Sequence, residues 1–179
     1  MKINPTWFYR LNVRPTVVVS TVSKKGISNA APFSFNSPIS IDPPLFGISS
    51  QPGHDTWRNI QETGEFVINL VGADFGPLMK VLAHKHPYEV SEIKEAGLTE
   101  VPSSKVRPPR IAEAYGWLEC KMIDNVVLGD HIWITGEVLE AEVKDECFDK
   151  VLKVEAANPL NHISGSAFVT GMKTREFER

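Results

Sequence analysis

The chain has 179 residues, 42% hydrophobic and 23% charged, which fits one ordinary soluble globular domain spanning 1-179 and excludes the disordered and fibrous classes. Nineteen Lys and Arg against 22 Asp and Glu give a formal charge of -3, without the basic excess that binding to a phosphate backbone uses, so nucleic acid is not expected as a partner. Cys120 and Cys147 form no CxxC pair, which predicts neither a disulfide framework nor a zinc site and fits a reduced, cytoplasmic setting.

The opening MKINPTWFYRLNVRP has no unbroken apolar run, so no signal peptide is expected there. The longest uncharged stretches, Gly26 to Ile41 and Ala156 to Met172, are too polar to span a bilayer, and no membrane partner is expected. From Thr16 to Val22 the run is dense in β-branched residues, which are stiff at χ1 and pack well on a pleated surface; it predicts a buried strand. Lys24-Lys25-Gly26 supplies a turn. Ile27 to Ser40 predicts an irregular strand and loop, because Pro32 and Pro38 break any continuous central strand. Leu45 to Ser49 predicts a short strand ended by Gln51-Pro52-Gly53.

A helix is predicted from Asp55 or Thr56, either of which can cap the exposed N–H groups, to Gly64. Phe66 to Val71 is the next strand. Between Ala73 and Ala83, Phe75, Leu78, Met79 and Leu82 recur at the helical period and predict a helix whose stripe belongs to the core. Glu89 to Ala96 predicts a short amphipathic helix closed by Gly97, and Pro102, Pro108 and Pro109 a long extended connection. Two long strands follow, Gly116 to Val127 and Ile132 to Val143, joined at Leu128-Gly129-Asp130. In the second, the apolar positions change from even (Ile132, Ile134) to odd (Leu139, Ala141, Val143), which demands a bulge or bend near Gly136 to Val138. Mostly strands, few helices and no βαβ alternation predict a mainly β antiparallel barrel with peripheral helices.

Little in the chain suggests catalysis by protein groups. His84 and His86 flank Lys85 without a nearby acidic or thiol third ligand, and they read as solvated surface residues. Cys120 lies between Leu118 and Met122 on an apolar strand face and reads as core. No G-x-S-x-G elbow, P-loop or GxGxxG is present. Trp7, Trp57, Trp117 and Trp133 read as core or interface residues, because their rings bury so much area. Two segments stand out. The small-residue run Asn29, Ala30, Ala31, Pro32, Phe33, Ser34, Phe35 and Asn36 lets a flat ring approach main-chain donors. Ser49-Ser50-Gln51-Pro52-Gly53-His54-Asp55-Thr56 leads into a helix N-terminus, whose unpaired N–H groups and positive dipole end suit a phosphate. On spacing alone, His54-Asp55-Thr56 reads as a plain N-cap in preference to a phosphate site.

The succession RPTVVVSTVSKKGISNAAPFSFN, PPLFGISS, HDTWRNIQETGEFVINL, EAGLT, RPPRIAEA, WLECKM and GDHIWITGEV resembles the flavin reductase-like family of FMN-binding split β-barrel proteins. The resemblance covers the chain from about Arg14 to the C-terminus. It implies an antiparallel split β-barrel of Greek-key type, flavoredoxin-like. It also implies non-covalent FMN, with FAD as the alternative, and a homodimer with flavin at the subunit interface. Trp7, Phe8 and Tyr9 are suited to anchor that interface.

The flavin ring is then expected against Asn29 to Asn36, and the phosphate near Ser49, Ser50 and Thr56, with Gln51, His54 and Asp55 alongside. Many relatives carry a basic residue where Gln51 stands and a lysine where His54 stands. His131, in Gly129-Asp130-His131, matches a family position close to the ring where a donor stacks; the competing reading is a turn histidine bonded across its hairpin. His162 falls where relatives place residues near the flavin. The implied activity is electron transfer from NADH or NADPH through flavin to an acceptor. The alternatives are an electron carrier reduced by a redox partner protein, or a barrel-shaped binding module without flavin turnover.

Overall fold

The computed structural model describes residues 1–177. Its framework is one antiparallel seven-stranded sheet: β1 (Val17–Val22), β2 (Ser28–Phe33), β3 (Asn36–Ser40), β4 (Leu45–Ser50), β5 (Glu65–Leu70), β6 (Gly116–Leu128) and β7 (His131–Val143), in the spatial order β2-β1-β5-β6-β7-β4-β3. All six residues of β1 are buried. The alternation of side chains along a strand explains why. Val17 and Val19 face an inner core with Ile48, Phe66, Ile68 and Ile134, while Val18 faces an outer core with Phe75, Leu82 and Ile93. A strand covered on both faces reads as a continuous apolar run, as the sequence here does.

Pro32 and Pro38 do not interrupt pairing. Each lies in an outermost strand, β2 or β3, where an absent N–H on the open side breaks no ladder. Its two end strands, β2 and β3, follow one another in sequence through Ser34-Phe35, so the sheet curls to bring them together, and the Ser49 N–H donates to the Phe35 carbonyl at 2.9 Å to extend the β3–β4 ladder into that corner. The result is an antiparallel split barrel. β6 and β7, 13 residues each, form a long hairpin closed by Gly129-Asp130. Gly129 sits at φ +65°, the left-handed conformation that tight hairpin turns require.

The register of this hairpin shifts between Thr135 and Gly136 and again between Val138 and Glu140, which explains the change of parity in the apolar pattern. A Cβ on Gly136 would lie 2.4 Å from Cζ of Phe66, so the bend closes directly onto the inner core.

Helix α1 (Asp55–Thr63) spans the predicted segment and ends at Gly64, but His54 occupies the N-cap position and no side chain caps the helix. Its Trp57 and Ile60 belong to the inner core. The predicted helix from Ala73 to Ala83 is instead a 3-10 segment, Ala73–Leu78, followed by one α turn, α2 (Met79–Leu82). Pro77 has no N–H and its ring clashes with the preceding turn, which prevents a continuous α-helix. Phe75, Met79 and Leu82 are nevertheless buried, as their spacing predicts. Helix α3 is only Glu92–Glu95, shorter than the expected Glu89 to Ala96. A small sheet of Arg14–Pro15, Asn161–Ser164 and Ala167–Val169 lies beside the mouth of the barrel.

Candidate functional site

Two adjoining cavities open along β2 and share Pro32, Phe33 and Ala83. The smaller, of about 410 Å³, is walled by Asn29 and Ala31 of β2, by Gln51 and Gly53, by His54, Asp55 and Thr56 at the start of α1, and by His84, Lys85, His86 and Glu92. The larger, of about 700 Å³, is walled by Thr16, Ser34, Gly76, Met79, Lys80, His162, Gly165, Ser166 and Phe168.

The structure thus gathers Asn29, Ala31, Pro32, Phe33, Gln51, His54, Asp55 and Thr56 on one cavity, and Pro32, Phe33, Ser34 and His162 on the other. Ala30 turns its methyl into the outer core, on the opposite face of β2 from Ala31, as strand alternation requires. Among the described residues, Phe35, Asn36, Ser49, Ser50 and His131 stand outside both linings. The Asn36 amide instead donates to the carbonyls of Pro15 (2.9 Å) and Phe33 (3.1 Å) and fixes the corner between β2 and β3. Ser50 is buried, and its hydroxyl donates to the Gln51 carbonyl at 3.3 Å.

The wall of the smaller cavity is organised around Asn29. Its Nδ2 donates to Oε2 of Glu92 at 2.9 Å, while its Oδ1 accepts from the hydroxyls of Thr56 (3.2 Å) and Thr21 (3.3 Å). The Asn59 amide donates to the Thr21 hydroxyl at 3.0 Å, and the Tyr88 hydroxyl donates to Oδ1 of Asn59 at 2.6 Å. The Thr56 hydroxyl proton is therefore engaged within the wall, and Thr56 is only 1% exposed. The α1 N-terminus, free of any side-chain cap, still presents first-turn N–H groups. Burial lowers the His54 pKa, the positive charges of His131 and Lys85 lower it further, and Asp55 opposes them. Burial raises the Glu92 carboxyl above its usual range.

Sequence reasoning missed the place of His84-Lys85-His86 on this cavity. His84 and Lys85 are exposed, as the surface reading of the two histidines implies, and His86 is half-buried, yet all three form part of the wall. No local spacing signals this, because the segment reaches the cavity from a different part of the fold. Arg14 was also missed. Its guanidinium donates to Ile163 O at 2.6 Å, to Nδ1 of His162 at 3.4 Å and to the Ser34 hydroxyl at 3.4 Å, and lies over the rings of Tyr9 and Phe35.

His162 Nε2 is 3.1 Å from the Gly165 carbonyl, so that nitrogen carries the proton and Nδ1 accepts from Arg14 and Ser34. His131 bonds to its neighbour Asp130 through Nδ1 at 2.7 Å rather than across the hairpin, and its ring lies 5.7 Å from that of Phe35. Cys120 is fully buried, and its thiol pKa is pushed up by burial and then by the charge of Glu119, which leaves it the core residue its position predicts.

The family model described as flavin reductase like domain matches residues 9–168. The uncharacterized protein BH2278 of Halalkalibacterium halodurans is 38% identical, over 94% of this chain and 91% of its own length. An uncharacterized protein of Aquifex aeolicus is also 38% identical, over 87% and 83%. Among solved structures, nitrilotriacetate monooxygenase component B from Bacillus cereus superposes with a TM-score of 0.90 at 27% identity, covering 99% of this chain and 98% of that one. Flavoredoxin of Desulfovibrio vulgaris, at 19% identity over 99% and 97% of the two chains, has a TM-score of 0.88 and shares the fold. Matched over most of its length by the family model and by relatives above the 30% level, this split-barrel chain belongs to the flavin reductase like domain family.

Proposed function

We propose that residues 1-179 act as one unit that binds FMN without a covalent link and carries electrons from NADH or NADPH to an acceptor. The observation that carries this reading is the pair of cavities joined at Pro32 and Phe33, the larger with mainly apolar walls (Pro32, Phe33, Met79, Phe168) and the smaller bearing Lys85 and a helix N-terminus. A molecule with a flat ring and an anionic tail suits that division. Thr16 adds to the fit: it lines the larger cavity, and its Oγ1 is the only buried side-chain polar atom without a hydrogen-bond partner among the described residues. Such a group costs stability unless something satisfies it. The family supports the flavin, and the relative named as a monooxygenase component supports redox work.

Bound FMN would supply hydride and electron chemistry, and the protein's part is to bind and orient. Phe33, Pro32 and Met79 offer apolar surface against which a ring can pack. The α1 N-terminus attracts the phosphate. His131, held by Asp130 and set against Phe35, is the group we assign to the donor side.

A homodimer belongs to the same reading. Trp7, Phe8 and Leu11 are 47%, 62% and 74% exposed, and Val127 and Leu128 at the hairpin tip are 69% and 59% exposed. Apolar surface of this extent calls for a partner. Light scattering is expected to give twice the chain mass, and a monomer mass with flavin fully bound would refute the dimer. For the function itself, the purified protein after FMN reconstitution and desalting is expected to show flavin absorbance that bleaches on anaerobic addition of one nicotinamide. Failure to retain or quench FMN would overturn the flavin reading. Retention without bleaching would leave a carrier reduced by a partner protein, set in a cytoplasmic, membrane-free location.

A further inference from the structure

We propose that the tripeptide His84-Lys85-His86 is the recognition wall for a phosphate monoester, with Lys85 as its fixed cation, and that it selects FMN over riboflavin. The inference rests on the flavin reading and assigns work to residues outside the motifs that carry the family resemblance. Four observations support it.

The segment is held rather than trailing. Met79 and Leu82 anchor α2 in the outer core, the Ala83 N–H donates to Met79 O at 2.9 Å, and the His84 N–H donates to Val81 O at 3.1 Å. His86 Nε2 lies 3.3 Å from Val81 O, and the two imidazoles meet edge to face with centroids 4.9 Å apart. Second, this segment and the uncapped start of α1 line the same cavity, so side-chain cations and first-turn N–H groups converge there.

Third, Lys85 makes no ion pair among the described residues and is close enough to His54 to oppose its protonation. An unpaired ammonium on a cavity wall is available to an anion. Fourth, the opposing acids are few. Asp55 and Glu92 line the same cavity, and burial favours the neutral form of Glu92. A phosphate monoester carries between one and two negative charges near neutral pH. With Gln51 uncharged and burial opposing a charge on His54, Lys85 is the fixed cation of this wall, and the ring nitrogens of His84 and His86 add hydrogen-bonding groups beside it.

The test is the dissociation constant of FMN and of riboflavin by fluorescence quenching, in the parent, in Lys85→Gln and in the double variant His84→Gln/His86→Gln. Thermal midpoints of the flavin-free proteins serve as the folding control. Lys85→Gln is expected to weaken FMN about tenfold, to flatten the salt dependence of FMN binding, and to leave riboflavin unchanged. The double variant is expected to weaken FMN several-fold and to leave riboflavin unchanged.

Inorganic phosphate is expected to displace FMN and not riboflavin. Equal loss of FMN and riboflavin affinity, or no loss of either, overturns the proposal. So does an unchanged FMN affinity in Lys85→Gln together with weaker binding of NADPH but not of NADH, since the wall would then read the donor's phosphate. A parent that binds neither flavin overturns the flavin reading and this proposal together, whereas a parent that binds both equally overturns this proposal alone.

Discussion

Glu119 and Glu92 are both buried, 0% and 5% exposed, and they are held in opposite ways. Glu119 accepts from the main-chain N–H of Ser104 at 2.9 Å and of Lys105 at 2.6 Å, and pairs with the Arg110 guanidinium at 2.7 Å. Burial alone would raise its pKa, but these donors outweigh burial and hold the carboxyl below its usual range. Glu92 has neutral donors, the Asn29 amide and, at 3.4 Å, the Ala30 N–H, and burial prevails there. The first carboxylate ties the long connection over 102–109 to β6 and belongs to the fold. The second leaves a weakly satisfied carboxyl, whose charge burial disfavours, on a cavity wall. A buried acid by itself says little about function; its donors tell the two kinds apart.

The largest effect is expected from Glu119→Ala. Removing one partner of a buried pair leaves the other charge uncompensated, so urea unfolding at pH 7 is expected to show a loss of about 3 kcal/mol or more. Because the folded pKa of Glu119 lies below its ordinary value, its contribution is fully present above the ordinary carboxylate range. The gap between parent and variant should close as pH falls through the lowered value. Cys120, next in sequence and fully buried, is a reporter, and its reaction with a thiol reagent should accelerate in the variant. A variant as stable as the parent at pH 7 would erase the contrast between the two acids.

Glu92→Gln is the smaller test and has a different pH signature. Gln retains an acceptor for Asn29, so the change at pH 7 is expected to stay below about 1.5 kcal/mol, the scale of one neutral hydrogen bond. With its folded pKa raised, Glu92 weakens the fold progressively as pH rises from the ordinary carboxylate range through the raised value, and the variant should lack that decline. Parallel pH profiles for parent and variant would show that Glu92 is as well satisfied as Glu119.

This contrast also marks what the sequence can reveal. The all-buried strand Val17–Val22, the helix stopping at Gly64 and the bend between Gly136 and Val138 were legible, because each is encoded by periodicity over a few neighbouring residues. The helix from Ala73 was misread in type, since Pro77 overrode a correct apolar stripe. The site was legible only along β2 and at the start of α1. The Asn29 bond to Glu92 spans 63 positions, and Arg14 reaches His162 across 148. No local pattern records such pairings, which exist only once the barrel has curled and set the loops after α2 over its mouth.

The prolines of the two outermost strands carry a consequence for how copies of this chain meet. An exposed strand edge is a template for adding another molecule's strand, the route to runaway stacking at high concentration. Pro32 and Pro38 stand on both open sides of the main sheet, so neither offers an unbroken row of N–H donors. Strand-to-strand addition is thereby disfavoured at both edges, whereas the exposed side chains of Trp7, Phe8 and the hairpin tip belong to other elements, where any contact would be between side chains.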